Sequence, residues 1–204
     1  MLEIKTFSSK SMGANCYIVS DGKNSIVIDP CVDYKLVKNY IVGELKGVFL
    51  THGHFDHFDC IRSFEVVDAP VYAHKNAFEK MEDANKNCSN LIGSPIEYVV
   101  KEDKKKLINE NVIEDIFEEI DIKVLNFPGH TNCSLVYIIE NNMFTGDFIF
   151  KRSIGRTDLY SASNSDMKKS LNTLNNIKDN YVIHPGHGPQ TTLYEEKENN
   201  YYLK

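Results

Sequence analysis

The chain contains no stretch near the 18 or so consecutive apolar residues that a membrane span requires, and Met1 to Lys10 lacks the basic-then-apolar layout of a secretory signal. A protein that neither spans a membrane nor is exported is the expectation. Paired cysteines are also missing: Cys16, Cys31, Cys60, Cys88 and Cys133 are odd in number, scattered and never in a C-x-x-C pair. That argues against a disulfide framework and a thiolate zinc knuckle, and fits a reducing cytoplasm. Basic residues are in deficit, 23 Lys and Arg against 29 Asp and Glu, for a formal charge of -6. Phosphate backbones need a net basic surface or a clear Lys/Arg stripe, so nucleic acid is not an expected partner. The one notable basic cluster, Lys104 to Lys106, follows Glu102 and Asp103 and reads as a solvated hairpin or loop. No repeat of fixed period and no low-complexity segment occurs, although residues 101–120 are charge-dense and read as a protruding insertion.

What is present is enough apolar sequence, 42% of 204 residues, to bury one sizeable core, so residues 1–204 are expected to form a single domain. Short runs rich in β-branched and aromatic residues predict strands at Leu2 to Phe7, Asn15 to Ser20, Ser25 to Asp29, Gly47 to Thr51 and Val71 to Ala73. Further strands are predicted at Asp121 to Phe127, Ser134 to Glu140, Met143 to Thr145 and Tyr181 to His184. Helices are predicted at Tyr34 to Val42, Phe58 to Val66, Lys75 to Ala84 and Ser165 to Ile177, the last capped by Ser165. Strands grouped at both ends of the chain suggest an α+β protein with two sheets and helices outside, rather than one doubly wound sheet.

The histidines carry the chemistry. Thr51-His52-Gly53-His54-Phe55-Asp56-His57 follows an apolar strand and packs His52, His54, Asp56 and His57 into six positions. Alternate residues of an extended segment share a face, so His52 and His54 point the same way, and a following helical turn can add Asp56 and His57. His130 follows a strand and Pro128-Gly129; Asp147 follows a strand and Gly146; His187 follows a strand and Pro185-Gly186. Strand, then glycine, then ligand is the layout of a site at one sheet edge, because glycine lets the backbone turn tightly beside a metal. Singly, each residue has an ordinary explanation as a turn residue. Jointly, five of the seven histidines would have to follow strands by accident. His74 and His184 do not follow the pattern and read as structural, although His74 could also serve as a hydrogen-bond donor behind the ligands.

H-x-H-x-D-H in Thr51 to His57, with His130, Asp147 and His187 in Pro185-Gly186-His187-Gly188-Pro189, resembles the signature of the metallo-β-lactamase superfamily. The resemblance implies an αββα sandwich of two mixed sheets with metals at one edge. It implies His52, His54 and His130 on a first metal, Asp56, His57 and His187 on a second, Asp147 bridging, and Asp29 as a buried brace that is not a ligand. Phe148-Ile149-Phe150 leading into Gly155-Arg156-Thr157-Asp158, and Gly186 to Thr192, are most similar to the glyoxalase II-like branch. Asn132-Cys133 and Cys31 depart from that pattern, and the sequence ends soon after His187, without the helical domain that helps hold glutathione in two-domain members.

Five imidazoles and two carboxylates suit two divalent metals, zinc first, with iron or manganese compatible. Bound metal lowers the pKa of water from 15.7 to roughly 7. The expected reaction is therefore hydroxide attack on a small-molecule thioester or ester, with Asp56 and Asp147 as catalytic residues orienting the nucleophile. Arg152, Arg156 and Tyr160 are the substrate-binding candidates; Arg156 could instead pair with Asp158 and hold its loop. Two rival readings stand beside this one. A persulfide dioxygenase of the same superfamily would use one iron on His52, His130 and Asp147, but Ile154 stands where that group usually has cysteine. A non-catalytic metal-stabilised scaffold would be expected to have lost ligands.

Overall fold

The computed structural model describes residues 2–118 and 120–204; Met1, and Glu119 within the charged segment 101–120, lie outside the described residues. In the first half of the chain, β1 (Glu3–Ser8), β2 (Asn15–Ser20), β3 (Asn24–Ile28), β4 (Glu44–Phe49), β5 (Val71–Ala73) and β6 (Lys105–Leu107) form one six-stranded sheet in that order. Its first three strands are antiparallel and β3 to β6 parallel. The second half supplies β7 (Asn111–Phe117), β8 (Ile120–Asn126), β9 (Leu135–Ile139), β10 (Asn142–Gly146), β11 (Ile149–Phe150), β12 (Ser153–Ile154), β13 (Val182–Pro185) and β14 (Thr191–Thr192). The second sheet runs β14-β13-β10-β9-β8-β7, with β10 and β13 parallel, and β11 pairs with β12 as a separate ribbon.

Period-two alternation builds four layers from these strands. In β2, Tyr17 and Val19 join Ile26, Phe49, Val124, Tyr137 and Phe144 between the sheets. Cys16 and Ile18 face the opposite way, toward α1 (Tyr34–Val37) and α2 (Lys75–Met81), packing with Val37, Phe64 and Phe78. In β9, Leu135 and Tyr137 point between the sheets, while Val136 and Ile138 meet Met167, Leu171 and Leu174 of α3 (Asn164–Asn176) and Leu193 of α4 (Leu193–Asn199). Both strands are covered on both faces, which is why they read as near-continuous apolar runs. At the centre Phe49 stacks on Tyr72 at 4.4 Å and meets Tyr137 edge-on at 5.4 Å. Truncating so large a buried ring to Ala typically costs about 3–5 kcal/mol. The result is the αββα sandwich of two mixed sheets that the resemblance implied. Among the described residues, no helix is long and apolar enough to cross a membrane.

Several expectations are corrected. Phe58 to Val66 is not an α-helix: Ile61–Val67 is a 3₁₀ segment, closed by Asp68 at φ 51°. The Ser63 hydroxyl donates back to the Cys60 carbonyl at 2.7 Å while accepting the Tyr34 amide at 2.9 Å, which draws the segment toward short i to i+3 bonding. Tyr34 to Val42 is helical only to Val37 before a 3₁₀ turn at Lys38–Tyr40. Ser163, not Ser165, caps α3, accepting the Asp166 amide at 3.2 Å. The described residues of 101–120 are not a protruding insertion, and Lys104 to Lys106 are not a hairpin. Here β6 closes one sheet edge against β5 and β7 closes the other sheet against β8, burying Ile116 and Phe117. Their charges suit sheet edges, and Lys104 pairs with Asp68 at 2.8 Å.

Candidate metal centre

The ends of β3, β4, β8, β10 and β13 all reach one edge of the sandwich, since β3 and β4 run parallel, as do β10 and β13, and β8 runs two antiparallel steps from β10. From those ends come Asp29, His52 to His57, His130, Asp147 and His187. Asp56 and His57 lie on a 3₁₀ turn, Phe55–His57, that brings both carboxylate and imidazole to the same side as the extended His52 and His54. Gly186 is required by proximity. A Cβ there would collide with Asp147 Oδ1 and lie 2.8 Å from His57 Cε1.

Three groups of metal-capable atoms result, each drawn from atoms within 4.8 Å of one another: His52, His54 and His130; Asp56, His57 and His187; and His52, His57 and Asp147, which takes one histidine from each of the others. In the first group, His54 Nδ1 lies 3.2 Å from His52 Nε2 and 2.9 Å from His130 Nε2. Ligand nitrogens about 2.0–2.1 Å from a tetrahedral metal stand about 3.3–3.4 Å apart, so the group is close to metal-binding dimensions. In the second, His187 Nε2 is 3.2 Å and His57 Nε2 3.8 Å from Asp56 Oδ2. Asp147 reaches both, with Oδ1 3.3 Å from His57 Nε2 and Oδ2 3.6 Å from His130 Nε2 and 3.7 Å from His187 Nε2.

The surrounding hydrogen bonds decide which nitrogen each ring presents. Asp29 Oδ2 accepts from both His57 Nδ1 (2.9 Å) and Thr51 Oγ1 (2.7 Å), and Asp29 Oδ1 accepts the Thr51 amide (2.8 Å). With its proton given to Asp29, Thr51 Oγ1 is left to accept from His52 Nδ1 at 3.1 Å. His130 Nδ1 donates to the Arg156 carbonyl at 2.8 Å. In all three rings the Nε2 lone pair is thereby aimed at the cluster, the usual arrangement of oriented histidine ligands. Asp29 holds this place at φ 52°, a left-handed conformation uncommon for a non-glycine residue.

Electrostatics fit the same occupant. Burial first, then the neighbouring imidazoles, holds His52 well below its ordinary pKa and pushes His54 down to about 3; burial likewise lowers His130. These three are neutral, the form a metal requires. For Asp147 burial acts upward, but His57 and then His130 outweigh it and leave the carboxyl well below its usual range. Asp56 is also lowered, His57 overcoming its burial. His57 moves up, because Asp147, Asp56 and Asp29 together exceed the effect of burial. His57 Nε2 and Asp147 Oδ1 are buried with no hydrogen-bond partner. Unpartnered donors of this kind, beside two ionised carboxylates, call for a cation, and the donor set fits divalent metals.

All seven residues expected at the centre are brought together, with Asp29 behind them. Arg156 reaches the cavity wall, but its guanidinium is bound to Asp158 at 2.6 and 2.8 Å, the loop-holding alternative. Arg152 and Tyr160 are not brought to the cavity. Arg152 turns out at φ 60° within the β11–β12 turn and meets Glu195 at 3.2 Å, whereas Tyr160 lies under the Lys80 ammonium, 4.6 Å from its ring centre. His74 caps α2, accepting the Asn76 amide at 3.0 Å, and His184 stacks on Phe144 away from the centre. Sequence reasoning missed Asn15 and Tyr17 as well as the bracing role of Thr51. The amide of Asn15 donates to the carbonyls of Pro185 and Gly188, both at 3.0 Å, and the Tyr17 hydroxyl to Pro185 at 2.6 Å, fixing the His187 loop from the other sheet.

Comparison with known proteins agrees with this geometry. The family model described as the metallo-beta-lactamase superfamily matches residues 11–187. Over 205 residues the chain is 27% identical to the probable metallo-hydrolase YqgX of Bacillus subtilis (strain 168), covering 93% of this chain and 92% of that protein. Its structure is similar to that of the BLEG-1 B3 metallo-beta-lactamase, with TM-score 0.88, 28% identity, and 99% and 100% of the two chains covered. It is also similar to TTHA1623 in a di-iron-bound form, with TM-score 0.83, 28% identity, and 98% and 100% covered. By its family match, its fold and the donor groups at its sheet edge, the chain belongs to the metallo-β-lactamase superfamily.

Proposed function

We propose that residues 1–204 act as one domain, a glyoxalase II-like metal-dependent hydrolase that cleaves a small-molecule acyl thioester or related ester in the cytoplasm. The observation that carries this reading is the presence of two complete donor groups joined by Asp147. His52, His54 and His130 would hold one divalent metal and Asp56, His57 and His187 the other, with zinc the first choice and iron also compatible. TTHA1623, similar in structure, is described in a di-iron form. A single-iron oxygenase on His52, His130 and Asp147 would leave His54, Asp56, His57 and His187 without a role.

When bound, such metals supply a nucleophile from water at neutral pH and draw electron density from the carbonyl. The chain's own groups do the rest. Asp56 and Asp147, both kept ionised, accept hydrogen bonds from the attacking water and fix its direction. Asp29 and Thr51 hold the His52 and His57 rings so that these carboxylates keep their spacing. Water's oxygen joins the acyl carbon, the carbon–sulfur bond breaks, and the thiol leaves with a proton from the water, so no oxidant is consumed.

The test is anaerobic. Zinc-loaded protein supplied with a panel of acyl thioesters is expected to release thiol at a rate that oxygen does not change. Absence of thiol release from any thioester, together with oxygen uptake by iron-loaded protein given a persulfide, would overturn the reading.

A further inference from the structure

The metal centre opens into a cavity of about 440 Å³, within the range of small-molecule sites. Its outer wall is supplied by three separate segments: Met12 from the β1–β2 turn, Leu91 and Ile92 from the 3₁₀ turn Ser89–Ile92, and Phe150 and Leu159 from the stretch after Asp147. Met12, Leu91 and Ile92 are 45%, 73% and 49% exposed. Scattered exposed apolar residues are ordinary, but a contiguous set at the mouth of a polar centre marks a binding surface. Charge points the same way. Among the described residues lining the cavity, Arg156 is the one cation apart from histidines, and Asp158 already engages it through both carboxylate oxygens.

We infer that this cavity takes a neutral, apolar acyl chain, with Leu91 and Ile92 as its specificity-determining contacts, and that the enzyme selects extended aliphatic acyl groups over anionic ones. The inference rests on the hydrolase reading and deepens it. The carbonyl end would lie at the metal centre, and the chain runs outward along Phe150 and Leu159 to cover Leu91, Ile92 and Met12. Each methylene buried there removes apolar surface from water on both sides of the contact, which corresponds to about a two- to four-fold gain in kcat/KM per methylene until the wall ends.

The experiment uses metal-loaded protein and a series of N-acetylcysteamine thioesters, a neutral carrier, from acetyl to decanoyl, with a terminal carboxylate analogue of the octanoyl member. Binding of the corresponding ketones, in which CH2 replaces sulfur so that nothing is hydrolysed, is read in parallel by calorimetry. We expect kcat/KM and ketone affinity to rise with chain length and the carboxylate analogue to fall at least ten-fold. The L91D/I92S double variant should flatten both series, whereas Val66→Asp, at a residue 73% exposed outside the cavity, should leave them as they are. Hydrolysis that proceeds with no dependence on chain length, or a preference for the carboxylate analogue, would overturn the inference while leaving the hydrolase reading intact. Chain-length-dependent ketone binding without any thiol release would uphold the apolar-chain site but sink the hydrolase reading and, with it, the claim of substrate selection. A rim variant that changes only the oligomeric state would show the patch to be an interface between copies and overturn the inference.

Discussion

His52, His54 and His130 are only 1%, 4% and 3% exposed, although His54 and His130 touch the cavity, whereas the His187 side chain is 29% exposed and joins Asp56 on the cavity wall. The buried group is all imidazole, held neutral by its surroundings and oriented largely by internal acceptors. The second group is open only at His187; it includes the carboxylate of Asp56, the fully buried His57, which is drawn toward its charged form, and a loop tied down from the opposite sheet. The difference teaches a division of labour. On the hydrolase reading, three neutral nitrogens would make the tighter metal position, while the mixed group, open at His187, would exchange its metal more readily.

The sharpest way to break that comparison is to delete one ligand from each side. His130→Ala should lower thioester hydrolysis by on the order of a thousand-fold and remove metal from the buried position, whereas His187→Ala should lower it by about 10- to 100-fold and leave about one metal per chain. Elemental analysis and rate measured on the same samples decide this. Equal losses for the two variants would erase the distinction. Circular dichroism should report an intact fold for both, because the inter-sheet core of Phe49, Tyr137 and Phe144 does not depend on the metals.

The next effect concerns the brace shared by the two groups. Asn tolerates the left-handed backbone of Asp29, so Asp29→Asn removes charge and acceptor strength toward His57 and Thr51 with little strain. Metal affinity or activity should fall about 10- to 100-fold, read by competition with a chelator. Wild-type affinity in this variant would show that packing alone orients the rings.

His184 sharpens the comparison from outside the centre. Burial pushes its pKa down to about 4 from the ordinary 6.5, and it sits neutral, donating from Nε2 to Asn142 and accepting at Nδ1 from Gln190. As pH falls below about 6.5 the unfolded chain takes the proton first, so stability is full above that value and is lost progressively toward pH 4. At pH 5.5 His184 should have cost about 1 kcal/mol relative to pH 7.5. Urea unfolding of metal-free protein and of His184→Gln should differ in pH dependence by that amount, and parallel curves would contradict it. The smallest effect belongs to Arg152. Its exposed pair with Glu195 is worth at most about 1 kcal/mol, and Arg152→Gln should change kcat/KM less than about two-fold.

Most of the centre was legible because its metal-capable residues announce themselves locally. His52 and His54 alternate on one extended face, and His130, Asp147 and His187 each follow a strand and a glycine. What holds those ligands was not legible. Asn15 reaches Pro185 across 170 positions, and nothing near either residue signals the bond. The edge strands β6 and β7 were hidden by their own charges, since a strand at a sheet border need not alternate cleanly. Proximity in sequence to Asp147 suggested that Arg152 and Tyr160 line the mouth, but the tight β11–β12 turn sends Arg152 outward and Lys80 claims Tyr160. The 3₁₀ course of Ile61–Val67 was missed because i to i+3 contacts share the apolar spacing of an α-helix.

The most direct test of the two-position centre is a titration of metal-free protein with zinc under nitrogen, reading bound metal and thiol release from an acyl thioester on the same samples. The structure predicts two bound equivalents, with the first filling His52, His54 and His130 and most of the activity arriving with the second. Saturation at one equivalent, with full activity reached there or with no thiol released at any loading, would contradict it.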